Sequence, residues 1–358
     1  MVRLSALGDV LHALPALELL RAALPAAELW WAVEAPGAPL LAGHPALDRV
    51  VALDRPGLRD PVRRPGALRG ALLGLRELRA ARFDAALDLQ GLLRSALVAR
   101  AAGARRLFGP RWAREGAGWL YSDPLDAPRP GEAHAATRYA ALARGALAGL
   151  GVAAPAPEER LPAPRLGLVP TPPGDAPPGP LLVLLPGAGK PANRPPTALL
   201  AEVARRAWAA HPDLLVALVG GRGDRRRAAA IAARLAAPGG PPVRDVCGAL
   251  DLAGSAGWLA RASLVVGGDT GPLHLAAALG RPVVGLFPAA DPARTGPAWA
   301  GLGPARVLAG QAECAPCRAR TCRRADRVRI CLRGLPVAAV SAAALELLGR
   351  PPPGAARP

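Results

Sequence analysis

Lysine is nearly absent: Lys190 stands alone in 358 residues, although Lys and Arg together number 45. The basic complement is therefore arginine, and with 41 glycines, 42 prolines and abundant alanine it points to a bias toward Arg, Ala, Gly and Pro. Aromatic residues are scarce as well, at 3%. The net charge of +18 against 27 acids suggests an anionic partner. Yet the arginines are spread along the chain, without the aromatic interleaving that stacks bases, so no nucleic acid is expected. Long apolar runs are missing too, since Arg, Gly or Pro interrupts each before it could span a bilayer. No secretory leader is expected, because the sequence is almost at once inside a motif. Five cysteines, an odd number, with four of them in one late cluster, do not suit a secreted disulfide scaffold, so a cytoplasmic location is expected.

What is present is apolar material for more than one core. With 51% hydrophobic residues, a chain of this length is expected to form two domains. Short β-type runs alternate with longer Ala/Leu/Arg helical runs, the pattern of a parallel α/β architecture. Residues 28–33 and 85–89 read as strands, and residues 11–24 and 68–81 as helices. Proline density between residues 151 and 180 marks a linker. The expected division is an N-terminal domain over 1–165, a linker over 166–180, a C-terminal domain over 181–336, and a helix with a disordered tail over 337–358. Two doubly wound domains would face each other across a cleft at their strand C-termini, where open α/β sheets bind ligands.

Three segments carry candidate chemistry. In residues 265–280 an apolar strand enters a turn containing Gly267, Gly268 and Gly271, and a helix begins near Thr270. Bare glycines and the free N–H groups of that helix suit a diphosphate. The plainer reading makes Asp269 or Thr270 an N-cap and buries His274. A second strand, residues 181–185, runs into Pro186, Gly187, Ala188, Gly189 and Lys190. The spacing is not that of a Walker A loop, but Lys190 and Arg194 could grip the same diphosphate without a metal. In residues 3–15, Gly8 permits a turn and Asp9 opens a helix, either as a cap or as a base for an attacking hydroxyl.

Residues 3–14, 90–96, 269–280 and 291–297, in that order, resemble the signature segments of glycosyltransferase family 9, the heptosyltransferases. The likeness runs from Val2 to about Val337, and the N-terminal half looks nearer to the heptosyltransferase I branch. The resemblance implies a GT-B fold of two Rossmann-like domains, an ADP-heptose donor, and inverting transfer to the inner core of lipopolysaccharide without a required metal. It implies Asp9 as general base, and Thr270 and Gly271 on the diphosphate with Asp269 and His274 beside them. Asp224 falls where the family has a ribose-binding Glu, and Asn193 where it has a phosphate-facing Lys, which shifts that charge to Lys190 or Arg194. The family also carries more apolar residues before the position of Arg3.

Gln90, Arg94 and Arg114 are candidates for an acceptor of the lipid A–Kdo type, and Arg94, Arg105, Arg106 and Arg114 for its phosphates or the anionic face of the inner membrane. Each of these arginines could equally be a solvated surface residue. Cys314, Cys317, Cys322 and Cys331 could hold a structural zinc by their spacing, whereas Cys247 reads as core packing. The rival functions are a same-family transferase with another donor or acceptor, a nucleotide-sugar epimerase of the same fold, and a non-catalytic polyanion-binding protein.

Overall fold

The computed structural model describes residues 1–54, 65–156, 164–174, 178–236, 238–297, 303–326 and 328–349. The chain divides into two compact units, Met1–Leu168 and Val169–Pro358.

In the first unit, β1 (Trp30–Glu34) pairs in parallel with β2 (Arg49–Leu53). A second parallel group holds β3 (Ala85–Leu87), β4 (Arg106–Pro110) and β5 (Asp123–Leu125). Residues 1–4 join the two groups. Val2 bridges Ala32 on one side and Asp88 on the other. Ala32 N donates to Met1 O at 2.9 Å and Glu34 N to Leu4 O at 2.9 Å, while Val2 N donates to Leu87 O at 2.8 Å and Leu89 N to Val2 O at 3.0 Å. Val2 and Leu4 are buried, and these two apolar side chains seat the strand in the core. With this strand counted first, the sheet order is 3-2-1-4-5-6.

Helix α1 (Leu7–Ala23) leads back to β1, and the connections through α2 (Pro65–Ala80) and α3 (Leu93–Ala101) run the other way along the sheet. Right-handed crossovers therefore place α2 and α3 together on the face opposite α1. Helix α4 (Ala135–Gly149) packs along α1. The first helix begins at Leu7, four residues before the position read from the sequence. Asp9 is thus its third residue, and it caps the helix from there, its carboxylate accepting from the N-cap Ala6 N.

The second unit is one parallel sheet. Its strands are β6 (Leu181–Leu185), β7 (Leu215–Leu218), β8 (Val243–Asp245), β9 (Leu264–Gly268), β10 (Val283–Phe287) and β11 (Ala305–Ala309). They lie in the order β8-β7-β6-β9-β10-β11, again 3-2-1-4-5-6. Strands β6, β7, β9 and β10 are buried at every position, as strands covered on both faces must be, and they read as unbroken apolar runs. The covering helices are α5 (Thr197–Ala210), α6 (Arg225–Leu235), α7 (Leu252–Arg261) and α8 (Gly271–Ala278), with the single turn α9 (Pro292–Thr295). Helix α10 (Val337–Leu348) packs on α5, and Val340, Ala344 and Leu347 share the core of this unit. The tail expected to be disordered lies outside the described residues from position 350 onward. In the proline-dense stretch, Gly167 N bonds Leu40 O at 2.9 Å and Thr171 N bonds Ala253 O at 3.0 Å.

Asp88 holds the end of β3 together. Its carboxylate is fully buried and accepts from Tyr121 Oη at 2.7 Å, Ser95 Oγ at 2.9 Å, and the N–H groups of Gln90 at 2.8 Å and Gly91 at 3.3 Å. Burial pushes its pKa up against the lowering effect of these donors. Asp88→Ala strands all four donors at once. It is expected to cost about 3 kcal/mol in urea unfolding of the first unit; a cost under about 1 kcal/mol would mean that water replaces the carboxylate.

Candidate functional site

Each sheet reverses its winding direction at one point in its own strand order, and sequence motifs lie at each of these points. In the first unit the reversal lies between residues 1–4 and β3, so the chain leaving the two strand ends passes through Ser5–Asp9 and Gln90–Gly91. In the second it lies between β6 and β9, flanked by the Pro186–Lys190 loop and the Asp269–Thr270 turn. Such crevices at strand C-termini are where open α/β sheets take ligands.

At the first crevice Asp9 is half-exposed and well anchored. Its Oδ2 accepts from Arg3 Nη2 at 2.6 Å and from Ala6 N at 3.2 Å, and Tyr139 Oη donates to Oδ1 at 3.3 Å. Arg3 is buried; burial opposes its charge, but Asp9, Tyr139 and Asp88 outweigh that cost and its pKa is raised. The Tyr139 ring lies under both Arg3 and Arg138, at 5.1 and 5.4 Å. Burial foremost pushes the Tyr139 phenol up to about 12, so it stays a donor at neutral pH.

Gln90 and Arg94 also reach this place. Gln90 is buried, and its Oε1 accepts from Leu4 N at 3.0 Å, which ties the loop after β3 to the central strand. Arg94 Nη2 donates to Ser5 Oγ at 3.2 Å. Arg114 is exposed beyond Gly91, to whose carbonyl its own N–H donates at 2.9 Å. Arg106 differs from expectation: it is spent on Asp123 and on the Gly149 carbonyl, stitching β4 to β5 and α4. Arg105 stays exposed beside Asp84 at 3.8 Å.

At the second crevice Asp269 is the node. Asn193 Nδ2 donates to its Oδ2 at 3.1 Å, and His274 Nε2 lies 3.0 Å from its Oδ1. Asn193 is buried, so it joins the loop after β6 to the turn after β9 instead of facing a phosphate. The glycines of that turn likewise serve the protein itself. A Cβ on Gly268 would stand 2.3 Å from Asn193 O, and one on Gly267 would stand 2.6 Å from Leu185 Cβ. Their bareness lets chain approach chain, a demand on these two positions beside the ligand approach read from the sequence. Thr270 caps α8 without spending its side chain on a cap bond.

Asp224 is brought to the same loop. Gly221 N donates to its Oδ2 at 3.0 Å, and a Cβ on Gly187 would fall 2.0 Å from its Oδ1. Lys190 is exposed at the start of the turn Pro191–Asn193, and Arg194 Nε holds Ala188 O at 3.1 Å. Two further arginines had no motif to mark them. Arg227 Nε donates to Pro186 O at 2.7 Å, and Arg329 Nη1 to Arg194 O at 2.7 Å. Burial lowers the pKa of Arg227, and the nearby charges of Arg194 and Arg329 lower it further against the pull of Asp224. Three guanidinium groups around one loop make a cationic rim, and an anion would relieve their repulsion.

The four late cysteines lie between β11 and α10. Among the described residues no group of three or more His, Cys, Asp or Glu is placed to hold a metal ion. Cys314 and Cys317 are exposed, Cys322 points to Val328 O at 3.8 Å, and Cys331 is buried. Burial, Asp245 and Asp224 together push the Cys247 thiol up to about 12. At pH 8 its thiolate fraction is then about 10⁻⁴. Timed thiol labelling of the native protein should modify Cys314 and Cys317 first and leave Cys247 intact; early loss of Cys247 would contradict its buried setting.

Residues 73–326 match glycosyltransferase family 9 (heptosyltransferase). Lipopolysaccharide heptosyltransferase 1 of Pseudomonas aeruginosa is 33% identical over 339 residues, spanning 90% of this chain and 86% of that protein. An E. coli heptosyltransferase structure solved with ADP is 26% identical with a TM-score of 0.67, covering 86% of this chain and 92% of its own. The structure of E. coli ADP-heptose lipopolysaccharide heptosyltransferase II, 23% identical, matches in fold with a TM-score of 0.71 over 97% of each chain. The two sheets of order 3-2-1-4-5-6 are those of the GT-B fold. From the long match to the family and the near full-length relative, the chain belongs to glycosyltransferase family 9, the heptosyltransferases.

Proposed function

We propose that this glycosyltransferase moves a heptose from ADP-heptose to the inner core of lipopolysaccharide, with inversion and without a required metal. The observation that carries the reading is the likeness to a lipopolysaccharide heptosyltransferase 1 over 90% of the chain, joined to a cationic loop and a helix N-terminus at one winding reversal. The second unit takes the donor. N–H groups at the start of α8, from Gly271 on, receive the diphosphate, with Thr270, Lys190 and Arg194 adding donors and charge. Asp224 accepts from the ribose diol. Asp269 and His274 hold the turn in place.

The first unit takes the acceptor, of the lipid A–Kdo type, with Arg94 and Arg114 offered to its anionic groups and Gln90 positioning their loop. Asp9 removes the proton of the acceptor hydroxyl. That oxygen attacks the anomeric carbon while the bond to the diphosphate oxygen breaks, and ADP leaves with the bonding pair. Oδ1 is the oxygen open to the substrate, because Oδ2 is occupied by Arg3 and Ala6 N, and Oδ1 has only the 3.3 Å bond from Tyr139. Among the described residues no helix is long and apolar enough to cross a membrane. We place the enzyme in the cytoplasm, in peripheral contact with the inner membrane.

ADP release in the presence of chelator, from ADP-heptose and a truncated core lipid, tests the reading; release that needs no acceptor, or another nucleotide sugar used in preference, would defeat it. Asp9→Asn should lower kcat by about 10³-fold while ADP affinity stays within about twofold. Full turnover by this variant would remove Asp9 from the chemistry. Gly187→Ala must displace the Asp224 carboxylate and should weaken ADP binding about tenfold in calorimetry; unchanged affinity would separate Asp224 from the donor.

A further inference from the structure

We propose that the outer face of α2, α3 and the 3-10 turn Ala117–Leu120 is a docking surface for an anionic lipid bilayer. Among the described residues, eight large hydrophobic side chains are exposed, and five of them sit on these three elements. They are Leu72 at 46%, Leu73 at 52%, Leu93 at 39%, Leu97 at 51% and Trp119 at 92% exposure. That share is too uneven for scattered surface residues, which are common and need no account. The elements are neighbours: α3 packs beside both α2 and the 117–120 turn. Both helices lie on one face of the sheet, so their outward sides point the same way.

These leucines are not left over from core packing. Helix α2 already buries Ala71 and Leu78, and α3 buries Ala96, Val98 and Ala99. The outward stripe of α3 is Leu93, Leu97 and Arg100, at i, i+4 and i+7. On α2 the pair Leu72 and Leu73 is bracketed by Arg69 and Arg76, both exposed. Trp119 leaves almost its whole ring in water, a placement that suits an indole at a bilayer interface.

Charge complementarity selects the occupant. Residues 65–120 carry ten arginines against four acids. Of those acids Asp88 is buried and Glu77 is ion-paired with Arg49. A second copy of the chain would bring one arginine rim against another. A sheet of lipid phosphates over hydrocarbon satisfies the guanidinium groups and the apolar side chains together, and long Arg stems can lie along the boundary. Arg94 and the Gln90 loop lead directly into α3, so a lipid-linked acceptor would arrive beside this face. Only that last point rests on the proposed function.

Co-sedimentation of the full-length protein with vesicles tests the surface. Vesicles of equal parts phosphatidylglycerol and phosphatidylcholine should be bound, phosphatidylcholine alone about tenfold more weakly, with affinity falling as salt rises. The triple variant Leu93→Ser, Leu97→Ser, Trp119→Ser should lose binding about tenfold or more. Should that variant fold poorly by circular dichroism, Arg76→Glu with Arg100→Glu, both on exposed positions, should give the same loss. Wild type that ignores anionic vesicles, or folded variants that bind as well as wild type, would overturn the proposal. So would a wild-type dimer in light scattering that the triple variant dissolves, since the face would then meet another copy. Vesicle binding that is lost in the variants while no sugar transfer is found would leave the surface standing and defeat the proposed reaction instead.

Discussion

The first unit depends on the hydrogen bonds made by residues 1–4. Without them β1–β2 and β3–β5 are two separate ribbons with unpaired inner edges, and neither is wide enough to cover a helix layer. The same four residues aim the turn that carries Asp9. Arg3 leaves the strand buried against Tyr139, and its guanidinium meets Asp9 one turn of helix later. Gln90 reaches across to Leu4 N, so the end of the central strand fixes the loop after β3 as well. A shift of this strand would move Asp9, Gln90 and Arg94 together, which makes the register of one short segment the determinant of the whole crevice.

The sequence made the second unit more legible than the first, for a physical reason. Strands buried on both faces must be apolar throughout, so β6, β9 and β10 stand out as apolar runs, the first two of them leading into glycine turns. In the first unit β4 has Leu107 and Phe108 between Arg106 and Gly109, and β5 is three residues with a proline at its centre. Nothing in such segments separates a strand from a loop until neighbours are known. The side-chain partnerships were hidden for a similar reason. Gly268 and Gly187 look like ligand turns by pattern, but what each must avoid, Asn193 O and the Asp224 carboxylate, lies 75 and 37 positions away. Arg227 and Arg329 carried no local signal, because their partners are carbonyl oxygens, and any residue supplies one.

The arginine excess divides into two populations once the contacts are known. One is structural. Arg21 gathers the carbonyls of Ala27 and Ala46 together with Asp48 at the end of α1, and Arg227 and Arg329 do the same for the loop after β6. A planar fork with five donors can hold several carbonyls at once, which an ammonium on a flexible stem does less well. Compositional bias toward arginine thus supplies loop staples that another protein would build from side-chain amides or from regular strands. The other population, Arg69, Arg76, Arg79 and Arg100 on α2 and α3, is exposed and weakly opposed by acids, and there charge is available to a partner.

The two crevices share a topology but are stiffened differently, and the difference follows from what each would have to do. Around β6 and β9 the two carboxylates and several loop carbonyls are committed, Asp269 to Asn193 and His274, Asp224 to Gly221 and the carbonyls of Pro186, Ala188 and Arg194 to arginines, while Lys190 and the Thr270 hydroxyl are left for a ligand. A leaving diphosphate is stabilised by dipoles already in place, so a frozen frame lowers the reorganisation needed as charge develops. At the end of residues 1–4 one carboxylate oxygen is held firmly and the other only by a phenol at 3.3 Å. A group that must accept a proton needs an oxygen from which a weak partner can be displaced, while the firm bond to the second oxygen keeps the carboxylate aimed. If the second crevice takes the leaving group and Asp9 is the base, as proposed, rigidity at one site and a single loosened contact at the other are what the shared sheet order has to supply.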